Sequence, residues 1–92
     1  MARVIVSGEV ENAANWEKEF RTHVELFRSQ TIVSPMRFTV TDDNRFAIYS
    51  EATDLKAFQE VLDSQATVDA MMNDGVKRET VQVYVLDKEL EL

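Results

Sequence analysis

Residues 3 to 10 alternate along the chain with Val4, Val6 and Val10 on one side and β-branched residues concentrated at the start. This predicts a first strand half-buried on its even face. The period changes after Asn12. With Trp16 set to 0° and about 100° per residue, Phe27 falls near about 20°, Phe20 near about 40°, Ala13 near about 60° and Val24 near about 80°. Such a stripe predicts one long helix over about residues 13–29. Asn12 is its N-cap, and Glu17, Glu19, Arg21, Glu25 and Arg28 lie off the stripe. Period two returns from Ile32 to Thr41, with Ile32, Ser34, Met36, Phe38 and Val40 on one face and Val33, Pro35, Arg37, Thr39 and Thr41 on the other. Pro35 has no amide proton for a ladder bond, which places the start of this strand at a sheet edge or a bulge. Asp42, Asp43 and Asn44 supply turn chemistry. Arg45 to Glu51 then forms the third strand of a hairpin, with Phe46 and Ile48 opposite in facing to Ala47 and Tyr49.

Asp54 caps a second helical region whose stripe is Leu55, Phe58 and Leu62. Ser64 interrupts or re-caps it before Val68, Met71 and Met72, and Asn73, Asp74 and Gly75 end it. The last strand, about residues 80–86, alternates Val81, Val83 and Val85 against Gln82, Tyr84 and Leu86, so both of its faces carry apolar groups. The order β-α-β-β-α-β is the α+β, ferredoxin-like arrangement, a four-stranded antiparallel sheet with two helices on one face. No helix remains to cover the other face. A homodimer packed sheet against sheet covers it with one isologous interface.

Composition narrows the chemistry. At 92 residues, 45% hydrophobic and 29% charged, the chain reads as one domain spanning residues 1–92. Surface scaling gives roughly 5,500 Å² for the folded chain, a thin two-layer core with little interior to spare for a large ligand. The net charge of −7, without a compensating basic block, disfavours nucleic acid and anionic membranes as partners. The absence of cysteine removes disulfides, thiolate metal sites and thiol redox chemistry, and makes a cytoplasmic location the expectation. The opening MARVIVSGEV is too short and too interrupted for a signal or membrane segment. A single histidine among scattered carboxylates gives no metal-ligand spacing. Neither a glycine-rich phosphate loop nor a nucleophile elbow occurs, and a serine nucleophile such as Ser7 or Ser34 has no motif behind it.

The element order, the long first helix with an aromatic stripe including Trp16, the polar hairpin at Asp42 to Asn44, the apolar second helix broken near Ser64 and the valine-rich last strand with its charged tail resemble the dimeric α/β-barrel superfamily. Within it the chain is similar to antibiotic-biosynthesis-monooxygenase-like small proteins. The resemblance covers essentially the whole chain and rests on pattern and length. It implies a ferredoxin-like protomer that dimerises through its sheet, a pocket between helices and sheet, and a cofactor-independent oxygenase acting on an aromatic or quinone-type small molecule. The superfamily's haem-degrading branch uses an Asn of the first strand, a Trp of the sheet and a His of a helix. Here the first strand offers Ser7, and both Trp16 and His23 lie on the first helical segment, so no catalytic residue carries over from that branch. No cofactor is expected.

His23 is the candidate catalytic residue. It falls at about −20° on the same wheel, beside Trp16 and Phe27, and histidine is the side chain best suited to take a proton from a phenol or enol near neutral pH. The competing reading is a histidine packed at the stripe edge in a filled core, in a non-catalytic homodimeric module that binds a small ligand or serves a structural role. That reading predicts a His23→Phe change without loss of stability. Candidate ligand contacts are Trp16 and Phe20 as flat walls, Met71 and Met72 as an adaptable lining, and Arg37 and Tyr49 as polar groups of the sheet. For Arg37, Tyr49 and Tyr84 a place in a dimer interface is the alternative.

Overall fold

The computed structural model describes residues 1–92 apart from the side chain of Ser34, so the readings placed on that serine lie outside the described residues. Four strands, β1 (Ala2–Val10), β2 (Ile32–Val40), β3 (Arg45–Ala52) and β4 (Val76–Val85), form one sheet in the order β2-β3-β1-β4. All three adjacent pairs are antiparallel. With the helical segments packed on one face, this is the ferredoxin-like architecture expected from the element order.

The inner face follows the alternation of the sequence. Val4, Val6 and Val10 of β1 and Phe46, Ile48 and Ala52 of β3 are buried, and Met36, Phe38 and Val40 of β2 pack against them. The edge at β2 is irregular around Pro35, where the register with β3 shifts between Val33 and Arg37. β4 begins earlier than residue 80. Its register with β1 shifts between Ser7 and Glu9, and Thr80 Oγ1 bridges the irregularity by accepting from the Glu9 amide at 2.9 Å and donating to the Lys77 carbonyl at 2.6 Å. Charged Lys77, Arg78 and Glu79 mask this part of the strand in the sequence. The tight turn of the hairpin places Asn44 at φ 64°, and its side-chain oxygen accepts from the Ala13 amide at 2.9 Å, which pins the turn to the first helix.

The single helix expected over about 13–29 is two. α1 (Ala13–Phe20) is N-capped by Asn12, whose Oδ1 accepts from the Asn15 amide, and α2 (Val24–Ser29) follows after a three-residue break. The break has a local cause. The Thr22 and His23 amides close back on the Glu19 and Phe20 carbonyls in i→i−3 fashion, and the Thr22 hydroxyl donates to the same Glu19 carbonyl at 2.6 Å. His23 therefore starts α2 instead of continuing α1. The second helical region divides at Ser64, as its sequence indicates, into α3 (Leu55–Leu62), capped by Asp54, and α4 (Gln65–Asn73), capped by Ser64. Gly75, at φ 76°, completes the stop after α4.

Candidate functional site

Aromatic rings build one wall. Trp16 stacks on Phe20 at 4.7 Å and on Phe46 at 4.9 Å between centroids, with Phe38 against both Trp16 and Phe20. Trp16 is buried among them. Beyond this cluster, between the inner face of the sheet and all four helices, lies a cavity of about 70 Å³. A water needs roughly 10–15 Å³ on this measure, so the space exceeds a single water several-fold. Its lining is largely apolar and includes Phe27, Ile48, Phe58 and Met71.

The polar groups of the interior converge here. The buried polar residues of the described chain are Gln30, Ser50, Thr67 and Asp74, and all four line this cavity together with His23. Thr67 is satisfied by donating to the Val61 carbonyl. Asp74 is the C-cap of α4, where the helix dipole disfavours an anion, and its carboxylate is compensated by two donors. His23 Nε2 lies 2.8 Å from Oδ2 and 3.0 Å from Oδ1, and the Asn73 side-chain amide donates to Oδ1 at 3.1 Å. Asn73 also donates to Glu19 Oε2 at 3.3 Å, so α1, α2 and the end of α4 are tied through one network.

This pairing bears on the tautomer of the imidazole. A neutral His23 facing an ionised carboxylate through Nε2 carries its proton on that nitrogen, and Nδ1 keeps the lone pair. A carboxylate that holds a histidine's tautomer and balances its charge after proton uptake is the arrangement a general base requires.

Of the residues named from the sequence, His23, Trp16, Phe20 and Met71 line the cavity. Met72 does not. It is 70% exposed, because it follows Met71 by a 100° step around α4 and points to solvent. Arg37 and Tyr49 face each other across β2 and β3 at odd positions of their strands, on the face turned away from the helices. They do not line the cavity, and the Tyr49 hydroxyl donates to Glu51 Oε1 at 3.1 Å. Sequence reasoning missed Gln30, Ser50 and Asp74. Gln30 falls at about −40° on the first helical wheel, next to His23, and Ser50 interrupts the apolar even face of β3, so both carried a signal. Asp74 carried none, since it sits in a stop sequence where an aspartate is ordinary.

Among the described residues no group of three His, Cys, Asp or Glu side chains could hold a metal ion, and no helix is long and apolar enough to cross a membrane.

No protein-family model and no curated protein matches the sequence. Solved structures do match it in shape. SnoaB, a cofactor-independent oxygenase from Streptomyces nogalater, superposes with a TM-score of 0.70 at 18% identity, over 99% of this chain and 95% of its own. An antibiotic biosynthesis monooxygenase superposes at 0.67 with 17% identity, over 98% of this chain and 100% of its own. A Bordetella bronchiseptica protein, provisionally described as an antibiotic biosynthesis monooxygenase, reaches 0.73 at 15% identity, over 97% of each chain. At such identities the likeness is one of fold: the chain has the ferredoxin-like fold of the antibiotic biosynthesis monooxygenase structures.

Proposed function

We propose that the chain is a small cofactor-independent oxygenase that acts on an aromatic or quinone-type small molecule in the cavity between helices and sheet, with His23 as general base and Asp74 as its positioning residue. The observation that carries this reading is the Asp74-held imidazole on a largely apolar cavity. SnoaB, similar in fold, is described as a cofactor-independent oxygenase, which supports the reaction class.

The chemistry balances without an external reductant. Nδ1 of His23 takes the proton of a phenol, and the phenolate places negative charge on the ring carbon para to its oxygen. Dioxygen bonds to that carbon, and the peroxide formed takes back the proton held by His23 to give a hydroperoxide. Loss of water across the carbon's remaining C–H bond and the O–O bond leaves a para-quinone, so phenol and O₂ yield quinone and H₂O. The apolar walls keep bulk water from the charged intermediate.

The working unit in this reading is a cytoplasmic homodimer through the outer sheet face. The accessible surface of 6230 Å² exceeds the roughly 5,500 Å² expected for a compact chain of this mass. On the outer face Ile5 stands in register with both Tyr49 and Tyr84, an aromatic and aliphatic centre of the kind interfaces bury.

Oxygen uptake with phenol and 1-naphthol, corrected for the protein-free rate, tests the activity. Stoichiometric quinone formation, reduced by roughly 10²–10⁴-fold in His23→Gln, is the expected result. No uptake above background with ligands that bind would leave a non-catalytic binding module instead.

A further inference from the structure

Two polar side chains in the cavity stand without a partner among the described residues. Gln30 is 4% exposed and Ser50 2% exposed, yet neither the Gln30 amide nor the Ser50 hydroxyl makes a hydrogen bond among the described residues. No side-chain nitrogen or oxygen of the described residues is both sealed from any open space and unpartnered, so these two groups open onto the cavity that they line. A buried amide and hydroxyl left unpaired cost stability unless something supplies their hydrogen bonds.

Their position relative to His23 gives the unpaired groups a meaning. His23 and Gln30 are the N-cap and C-cap of the same short helix, α2. Seven residues return to nearly the same face of a helix and advance roughly 10 Å along it. Ser50 comes from the inner face of β3, between Ile48 and Ala52. The cavity therefore has a basic group associated with one end of α2 and a hydrogen-bonding pair associated with the other, with apolar and aromatic surface between them.

We infer that Gln30 and Ser50 are specificity-determining residues that bind an oxygen on the far side of the ligand ring from His23, so that the cavity is complementary to a para-dioxygenated ring. The inference rests on the oxygenase reading of the same site. It adds the residues that meet the new oxygen: at the carbon para to the ionised hydroxyl, that oxygen reaches Gln30 and Ser50. An amide and a hydroxyl both donate and accept, so they match a hydroperoxide, a hydroxyl or a carbonyl there. Groups that bind the oxygenated species better than the starting phenol act on the reaction itself and not only on substrate affinity.

The test is anaerobic binding, which excludes turnover, measured by calorimetry and by the Trp16 indole resonance. Two pairs serve as probes: phenol with hydroquinone, and 1-naphthol with 1,4-dihydroxynaphthalene. Members of a pair differ only by the far oxygen. The wild-type protein should bind the dioxygenated member at least tenfold more tightly in the pair that fits. Gln30→Leu and, independently, Ser50→Ala should each erase most of that preference while leaving the monophenol affinity within about threefold. Equal affinity within both pairs overturns the inference and leaves the oxygenase reading intact. Unchanged preference in both variants overturns it as well and assigns the two groups to bound water. Failure of all four probes to bind the wild-type protein overturns both readings together.

Discussion

His23 Nε2 and Asp74 Oδ2 lie 2.8 Å apart although 51 residues separate them in the chain. The contact joins the break between α1 and α2 to the last turn of α4, and among the described residues the side-chain hydrogen-bond partners of this buried carboxylate are that imidazole and the Asn73 amide. Removing one member of such a pair leaves the other without its partner. His23→Phe should therefore destabilise the fold by about 2 kcal/mol, a figure set below the fully buried case because the His23 ring is one-fifth exposed. Chemical denaturation of His23→Phe, Asp74→Asn and the double variant measures it. The double variant should recover part of the loss, and a His23→Phe protein as stable as the wild type would remove the pair from the account.

How much of this was legible beforehand depends on range. Period-two and period-3.6 patterns are local, and they give the strands, the sheet-facing residues and the fold from Val4, Trp16, Phe46 and Phe58 alone. Thr22 shows the limit, because its hydroxyl and amide both turn back on the Glu19 carbonyl and end a helix whose apolar stripe runs on unbroken to Phe27. His23 still reaches the cavity, but from the start of α2, not from the stripe of a continuous helix. Asp74 was illegible for the opposite reason: its partner is fixed by tertiary packing, and nothing in Asn73-Asp74-Gly75 separates a buried carboxylate from an ordinary helix stop. Met72 and Met71 look alike in composition, and only their angular positions on α4 separate solvent from cavity.

Gly8 is held to glycine by Phe46. A Cβ at residue 8 would stand 2.9 Å from Phe46 Cε1 and 3.0 Å from Cζ, on a ring stacked against Trp16. Gly8→Ala should cost about 1–3 kcal/mol, since relieving the contact displaces a ring that is stacked on Trp16. Thermal denaturation checks it, and Phe46→Leu in the same chain should return part of the loss by clearing the contact.

On the outer sheet face, burial pushes the Tyr49 phenol above its ordinary range, and the hydrogen bond to the Glu51 carboxylate adds to the shift. The folded state thus holds this proton more tightly than the unfolded chain. Its stabilising effect is complete below the unfolded tyrosine value and is lost as pH rises through the folded one. In a Tyr84→Phe background only Tyr49 contributes phenolate absorbance, and its midpoint should lie above that of a free tyrosine and fall on Glu51→Gln. A midpoint at the free value in both proteins would contradict the arrangement.

The same face carries the proposed dimer. Light scattering at micromolar concentration should give twice the 10.6 kDa chain mass, and Ile5→Lys, at the centre of the register between Tyr49 and Tyr84, should give a monomer. A wild-type monomer would leave the outer face as an ordinary solvated sheet surface.

The central claim is that Asp74 holds His23 with Nδ1 free for a ligand, and the chain's single histidine makes this directly observable. Long-range proton–nitrogen correlation of the imidazole, recorded at neutral pH and then with added 1-naphthol, reads both ring nitrogens without assignment by mutation. The account predicts a proton on Nε2, a lone pair on Nδ1, and a shift of the Nδ1 and Trp16 indole signals on ligand addition. Asp74→Asn should weaken the tautomer preference. A proton on Nδ1 in the free protein, or an imidazole that ignores a ligand which moves the Trp16 signal, would contradict it.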